Sequence, residues 1–122
     1  HSVADTIENW LGLFYIQQAS TGVAAPLLGP RPGERVLDMC AAPGGKTAQL
    51  AAAGASVTAV DISKARLKRL EENMTRLGLS VCSIFCHQRF ANIVVGTLGV
   101  SYSLSSIHRQ RFLSTAVLVS SS

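Results

Sequence analysis

At 122 residues the chain has room for one domain of ordinary size or a piece of one. Hydrophobic residues make up 48% and charged residues 15%, which excludes a fully disordered, solvating chain, and no run of about 18 apolar residues offers a membrane span. The net charge of +4 suits a polyanionic partner, but every acid (Asp5, Glu8, Glu34, Asp38, Asp61, Glu71 and Glu72) lies in the first 72 residues, so charge is distributed very unevenly.

In chain order, Val3, Ile7, Trp10, Leu11 and Phe14 suit a helical face, while Leu13-Phe14-Tyr15-Ile16 would serve equally as a strand. Residues 21–28 are small and apolar and predict a helix despite Pro26, ended by the turn chemistry of Gly29-Pro30-Arg31-Pro32-Gly33. Arg35-Val36-Leu37-Asp38-Met39 predicts a short buried strand, and Cys40-Ala41-Ala42-Pro43-Gly44-Gly45-Lys46-Thr47 a small-residue loop opening into an Ala-rich helix from Thr47 to Ala53. Gly54 closes that helix, and Ser56-Val57-Thr58-Ala59-Val60 predicts the next strand, ending at Asp61. This is a β-α-β unit of an α/β fold. Ser63 is the expected N-cap of a further helix, with Leu67, Leu70, Met74 and Leu77 on one face and Gly78 as its stop. The opposite face carries Lys64, Arg66, Lys68, Arg69 and Arg76, to be read as a solvated face or as a stripe facing nucleic acid.

Val81 to Phe85 offers a third strand; Val94-Val95, Leu98, Val100 and the stretch to Ser122 match neither period. From Ser80 onward ten of 43 residues are serine, and acids and prolines are gone. The chain is therefore divided at 79/80, with 80–122 expected to be a foreign tail, frameshifted or disordered, against the alternative of a genuine Ser-rich extension. A start at His1 reads as a fragment, and Asp5 and Glu8 stand where a secretory signal would need basic residues. The odd set Cys40, Cys82 and Cys86 has no framework spacing and favours a reducing compartment, the cytosol.

A glycine loop between a buried strand and a helix N-terminus lets backbone N–H groups approach a ligand, with the helix dipole favouring negative charge. Spacing separates the ligand classes. A Walker A loop needs a glycine where Cys40 stands, and the G-x-G-x-x-G dinucleotide fingerprint is absent. What remains is a loop after the first strand and an acid, Asp61, ending the second, the position that bonds ribose hydroxyls in doubly wound folds. S-adenosylmethionine meets both features; the competing reading is a tight βα turn with Asp61 as a helix-capping acid.

Asp38-Met39-Cys40-Ala41-Ala42-Pro43-Gly44-Gly45-Lys46-Thr47 resembles the first motif of the Sun/Nop-type RNA (cytosine-5) methyltransferases, which include the RsmB-like 16S rRNA enzymes. Ala59-Val60-Asp61-Ile62-Ser63 with Arg66-Leu67 is similar to their second motif. Phe14-Tyr15-Ile16-Gln17-Gln18-Ala19-Ser20 resembles the segment before the catalytic domain's first helix, departing at Gln18, where many members carry an acid. The resemblance covers roughly residues 12 to 79. It implies the N-terminal half of a Rossmann-like class I methyltransferase sheet and an RNA substrate, rRNA with tRNA as the alternative. It further implies that Cys40, Ala41, Ala42, Pro43, Gly44, Gly45 and Lys46 wrap S-adenosylmethionine while Asp61 holds its ribose.

Methylation at carbon 5 of cytosine needs a thiolate to add first at carbon 6, because carbon 5 alone is too weak a nucleophile. The resemblance places that thiolate in a Thr-Cys motif and an assisting cysteine in an Asp-Ala-Pro-Cys motif, and neither string occurs here. No catalytic residue is therefore assigned. Cys82, Cys86 and His87 lack a fourth ligand and a zinc spacing, so no metal site is expected either. Three functions compete: a cofactor-binding fragment of an RNA methyltransferase, a non-catalytic binding or interaction fragment, and a P-loop nucleotide-binding fragment.

Overall fold

Val36 and Leu37 of strand β1 (Arg35–Asp38) and every residue after the first in β2 (Ser56–Asp61) are buried, the pattern of central parallel strands covered on both faces. The computed structural model describes residues 2–86 and the backbone of 117–120. Most of the Ser-rich stretch, including His87, Val94, Val95, Leu98 and Val100, lies outside the described residues.

The four-stranded sheet has the order β3-β2-β1-β4, with β3 at Ser83–Cys86 and β4 at Val117–Ser120. β1 pairs parallel with β2 and β2 with β3, so both connections must cross over. They do so through helices α3 (Gly45–Ala52) and α4 (Lys64–Leu77). The third strand thus forms, shifted from the expected Val81–Phe85. The strand at 117–120 is not expected from the sequence; it runs antiparallel to β1 and satisfies the backbone of its second edge.

α4 follows its sequence closely. The Ser63 hydroxyl accepts from the N–H of Arg66, Leu67, Leu70 and Met74 are buried, and Gly78 (φ 66°) ends the helix by donating to the carbonyls of Met74 and Thr75. Leu70 and Met74 join Ala41, Ala42, Ala48 and Ala59 in one apolar cluster; Val36, Leu50, Val57, Ala55 and Ala25 form a second, with Ala25 contributed by α2 (Ala24–Leu28). Pro26 sits in the first turn of α2, where its missing N–H costs no helical bond. α3 begins two residues earlier than the Thr47 expected from composition, because Gly44 (φ 116°) turns the chain into the helix.

The ambiguous segment 3–16 is neither a core helix nor a strand. It contains a 3-10 turn at Val3–Asp5 and one short α-helix, α1 (Ile7–Trp10), followed by an irregular strap, and Val3, Ile7, Trp10, Leu11 and Leu13 stay exposed. The strap is fixed to the C-terminal turn of α4 at two places. Arg76 Nη1 donates to the carbonyls of Asn9 (2.6 Å) and Phe14 (3.1 Å). Gly12 (φ 75°) lies so close that a Cβ there would sit 1.8 Å from the Arg76 carbonyl oxygen. These anchors carry Tyr15, Ile16 and Gln17 across to the loop after β1.

Candidate functional site

Cys40, Ala41, Ala42, Pro43, Gly45 and Lys46 form one wall of a cleft of about 260 Å³, and Tyr15, Ile16, Gln17, Gln18 and Thr21 form the facing wall. Six of the eight site residues expected from sequence are therefore brought together. Gly44 lies buried beneath the loop, where an added Cβ would stand 3.2 Å from Met74 Cε and 3.5 Å from Leu70 Cγ. Asp61 does not line the cleft.

Asp61 is 2% exposed and faces the underside of the loop. Its Oδ2 accepts from the N–H of Ala42 (3.3 Å), its Oδ1 from that of Ser63 (3.1 Å), and Arg66 Nη1 approaches Oδ1 to 3.6 Å. Arg66 also donates to the Ala42 carbonyl, and Asn73 Nδ2 to that of Pro43. The loop is thus tied down from β2 and α4. Two of the five basic residues assigned to the outer face of α4, Arg66 and Arg76, are spent on these internal ties; Lys64, Lys68 and Arg69 remain exposed.

Sequence reasoning passed over Asp38 as a functional residue. Its side chain is fully buried at the end of β1, where Oδ2 accepts from the Thr47 hydroxyl (2.7 Å) and Oδ1 from the N–H of Cys40 (3.3 Å), closing the loop on itself from both ends. Burial pushes its carboxyl above the usual aspartate value, opposed by those two hydrogen bonds and the nearby Lys46 charge. Burial likewise raises the Tyr15 hydroxyl, with the Arg76 charge pulling the other way. The signal available in the sequence was the pairing of an acid at a strand end with a threonine in the first turn of the next helix.

Gln17 was also passed over. Its Oε1 is shielded and has no hydrogen-bond partner among the described residues, and a Cβ on Gly45 would lie 2.5 Å from it. A side chain at position 45 would force the carboxamide to move away from the start of α3.

A second cleft of about 270 Å³ runs between α4 and β3, lined by Lys64, Leu67, Lys68, Glu71, Ile84 and Cys86. Cys82 and Cys86 are exposed and belong to neither wall of the first cleft. Among the described residues no group of three or more His, Cys, Asp or Glu side chains could hold a metal ion, and no helix is long and apolar enough to cross a membrane.

The family described as 16S rRNA methyltransferase RsmB/F matches residues 25–96, which contain the whole β1–loop–α3–β2–α4 unit. The chain belongs to this family. The match runs past residue 79 into the Ser-rich stretch. Ribosomal RNA small subunit methyltransferase B of Serratia proteamaculans is 51% identical over 70 residues, covering 56% of this chain and 16% of that protein. The chain thus spans about a sixth of the length of such relatives. Among solved structures, a methyltransferase homolog protein from Pyrococcus horikoshii superposes with a TM-score of 0.69 at 36% identity, covering 84% of this chain and 33% of that one. NSun6 from Pyrococcus horikoshii, solved with SFG, gives 0.65 at 35% identity, covering 75% and 24%. The fold is that of the Rossmann-like methyltransferases, of which this chain holds part of the sheet.

Proposed function

We propose that the chain is the cofactor-binding part of a cytoplasmic RNA (cytosine-5) methyltransferase acting on ribosomal RNA, with S-adenosylmethionine as methyl donor. The observation that carries this reading is the cleft walled by Cys40–Pro43, Gly45 and Lys46 at the start of α3. Its volume falls just under the roughly 300–1,000 Å³ of whole small-molecule sites, enough for one end of such a cofactor. The shielded acceptor of Gln17 and the bare backbone of Gly45 beside it fit a polar ligand that approaches the backbone closely. The solution of the NSun6 relative with SFG supports a small-molecule ligand for this fold.

Bound there, the cofactor supplies an electrophilic methyl group on a sulfonium. The backbone at the start of α3 favours the negative end of a ligand, since Gly44 provides no side-chain cap to satisfy it. Asp61, buried beneath the loop and outside the cleft lining, accepts from the Ala42 and Ser63 N–H groups, so a ribose hydroxyl would take one of the remaining of a carboxylate's about four acceptor sites. Tyr15 and Ile16 present apolar surface to the ligand from the facing side. Calorimetric titration with S-adenosylhomocysteine tests the assignment. Binding is expected, weakened about tenfold or more in Asp61→Ala by loss of charged hydrogen bonds; equal binding by both proteins would remove Asp61 from the site.

The chain as it stands is expected to transfer no methyl group to cytosine, because Cys40 lies in the binding loop and Cys82 and Cys86 lie outside the cleft. Incubation with tritiated S-adenosylmethionine and unmodified ribosomal or transfer RNA decides this. Incorporation abolished by Cys82→Ala or Cys86→Ala would contradict it.

A further inference from the structure

We infer that Gln17 is a ligand-contacting residue that receives the ammonium of a bound α-amino acid end, an inference that rests on the cofactor reading above. Among the described residues no carboxylate lines the cleft between the strap and the loop. A cationic group entering it must therefore be met by a neutral acceptor. The carbonyls of Ala42 and Pro43 already accept from Arg66 and Asn73. The carbonyl of Gln18 accepts from the Thr21 hydroxyl. Gln17 Oε1 has no hydrogen-bond partner among the described residues.

An orphaned buried acceptor is costly, so it gains from any donor brought within reach. The terminal torsion of a glutamine is soft, and turning about it presents Oε1 to the cleft. Position adds a second constraint. Oε1 sits beside Gly45, the first residue of α3, whose backbone favours a carboxylate. An acceptor for an ammonium next to a site for a carboxylate is the signature of a zwitterionic α-amino acid group, in which both charges hang from one carbon. The strap thus reads the amino acid end of the ligand rather than its nucleoside. Its register is set at a distance by Arg76, which holds the carbonyls of Asn9 and Phe14.

The test compares two probes on the full 122-residue chain. S-adenosylhomocysteine carries the amino acid end; 5′-methylthioadenosine has the same nucleoside and thioether without it. Gln17→Met, which keeps the length and removes the acceptor, is expected to weaken S-adenosylhomocysteine about tenfold and leave 5′-methylthioadenosine unchanged. Gln17→Glu, which restores an acceptor, is expected to bind S-adenosylhomocysteine at least as well as the native chain. Equal loss for both probes in Gln17→Met would mean that Gln17 only shapes the wall, and no loss for either would mean that it is not in contact; each overturns the inference while the cofactor reading stands. If Gln17→Met fails to fold by circular dichroism, Gln17→Glu decides alone, and weaker binding of S-adenosylhomocysteine by it overturns the inference. A native chain that binds neither probe overturns the cofactor reading itself.

Discussion

Leu70→Ala is expected to lower the unfolding free energy by about 2–5 kcal/mol, a large part of the roughly 5–15 kcal/mol that holds a domain folded. Leu70 has no exposed surface and is surrounded by Ala41, Ala42, Ala48, Ala59 and Met74. Four of these five neighbours are alanines, too short to close over the void, so the cost should fall in the upper part of that range. Ala41 and Ala42 belong to the loop itself, so the cavity opens directly beneath the cleft wall. Urea unfolding measures the stability; a midpoint unchanged from the native chain would show that this cluster does not support the loop.

Asp38 gives the second large effect, with a pH signature of its own. Asp38→Ala at neutral pH should cost about 1–3 kcal/mol, because the Thr47 hydroxyl and the Cys40 N–H both lose their buried acceptor. Asp38→Asn keeps an acceptor without the charge and behaves differently. Burial raises the carboxyl above 3.8 in the folded chain, so the folded state holds the proton more tightly than the unfolded state. The stability linked to this group is fully present below pH 3.8 and is lost as pH rises through the raised value. The Asn variant lacks that loss, so its stability relative to the native chain should climb as pH rises from below 3.8 toward neutrality. Thermal unfolding across that span checks the slope; parallel profiles for the two proteins would contradict it.

Much of the scaffold was readable from local chemistry. The Ser63 cap, the Leu67–Leu70–Met74 spacing and the Gly78 stop define α4 without reference to anything distant, and β1 and β2 are short apolar runs bounded by turns. The cleft was half readable. Its loop wall follows from a contiguous string, Cys40 to Lys46, whereas the facing wall depends on Arg76 reaching back 67 residues to Asn9, a contact no local pattern encodes. Segment 3–16 misled for the same reason, since its apolar side chains suggested a core face but its course is set by anchoring at Gly12 and Arg76. Asp61 was placed correctly at the end of β2, yet its burial against the Ala42 N–H arises only when loop and strand are folded together. The antiparallel β4 joins residues far apart in sequence and had no sequence signature.

The most direct test of the central claim is where the ligand lands. Backbone amide spectra of the ¹⁵N-labelled chain, recorded while S-adenosylhomocysteine is added, should shift at Tyr15–Gln17 and at Cys40–Ala42 and Gly44–Thr47, with the amide of Ser63 responding through Asp61. The resonances of Lys64, Lys68, Ile84 and Cys86 around the second cleft should stay in place. Saturable shifts confined to the strap and the loop would support the account; shifts confined to the second cleft, or none at saturating ligand, would contradict it.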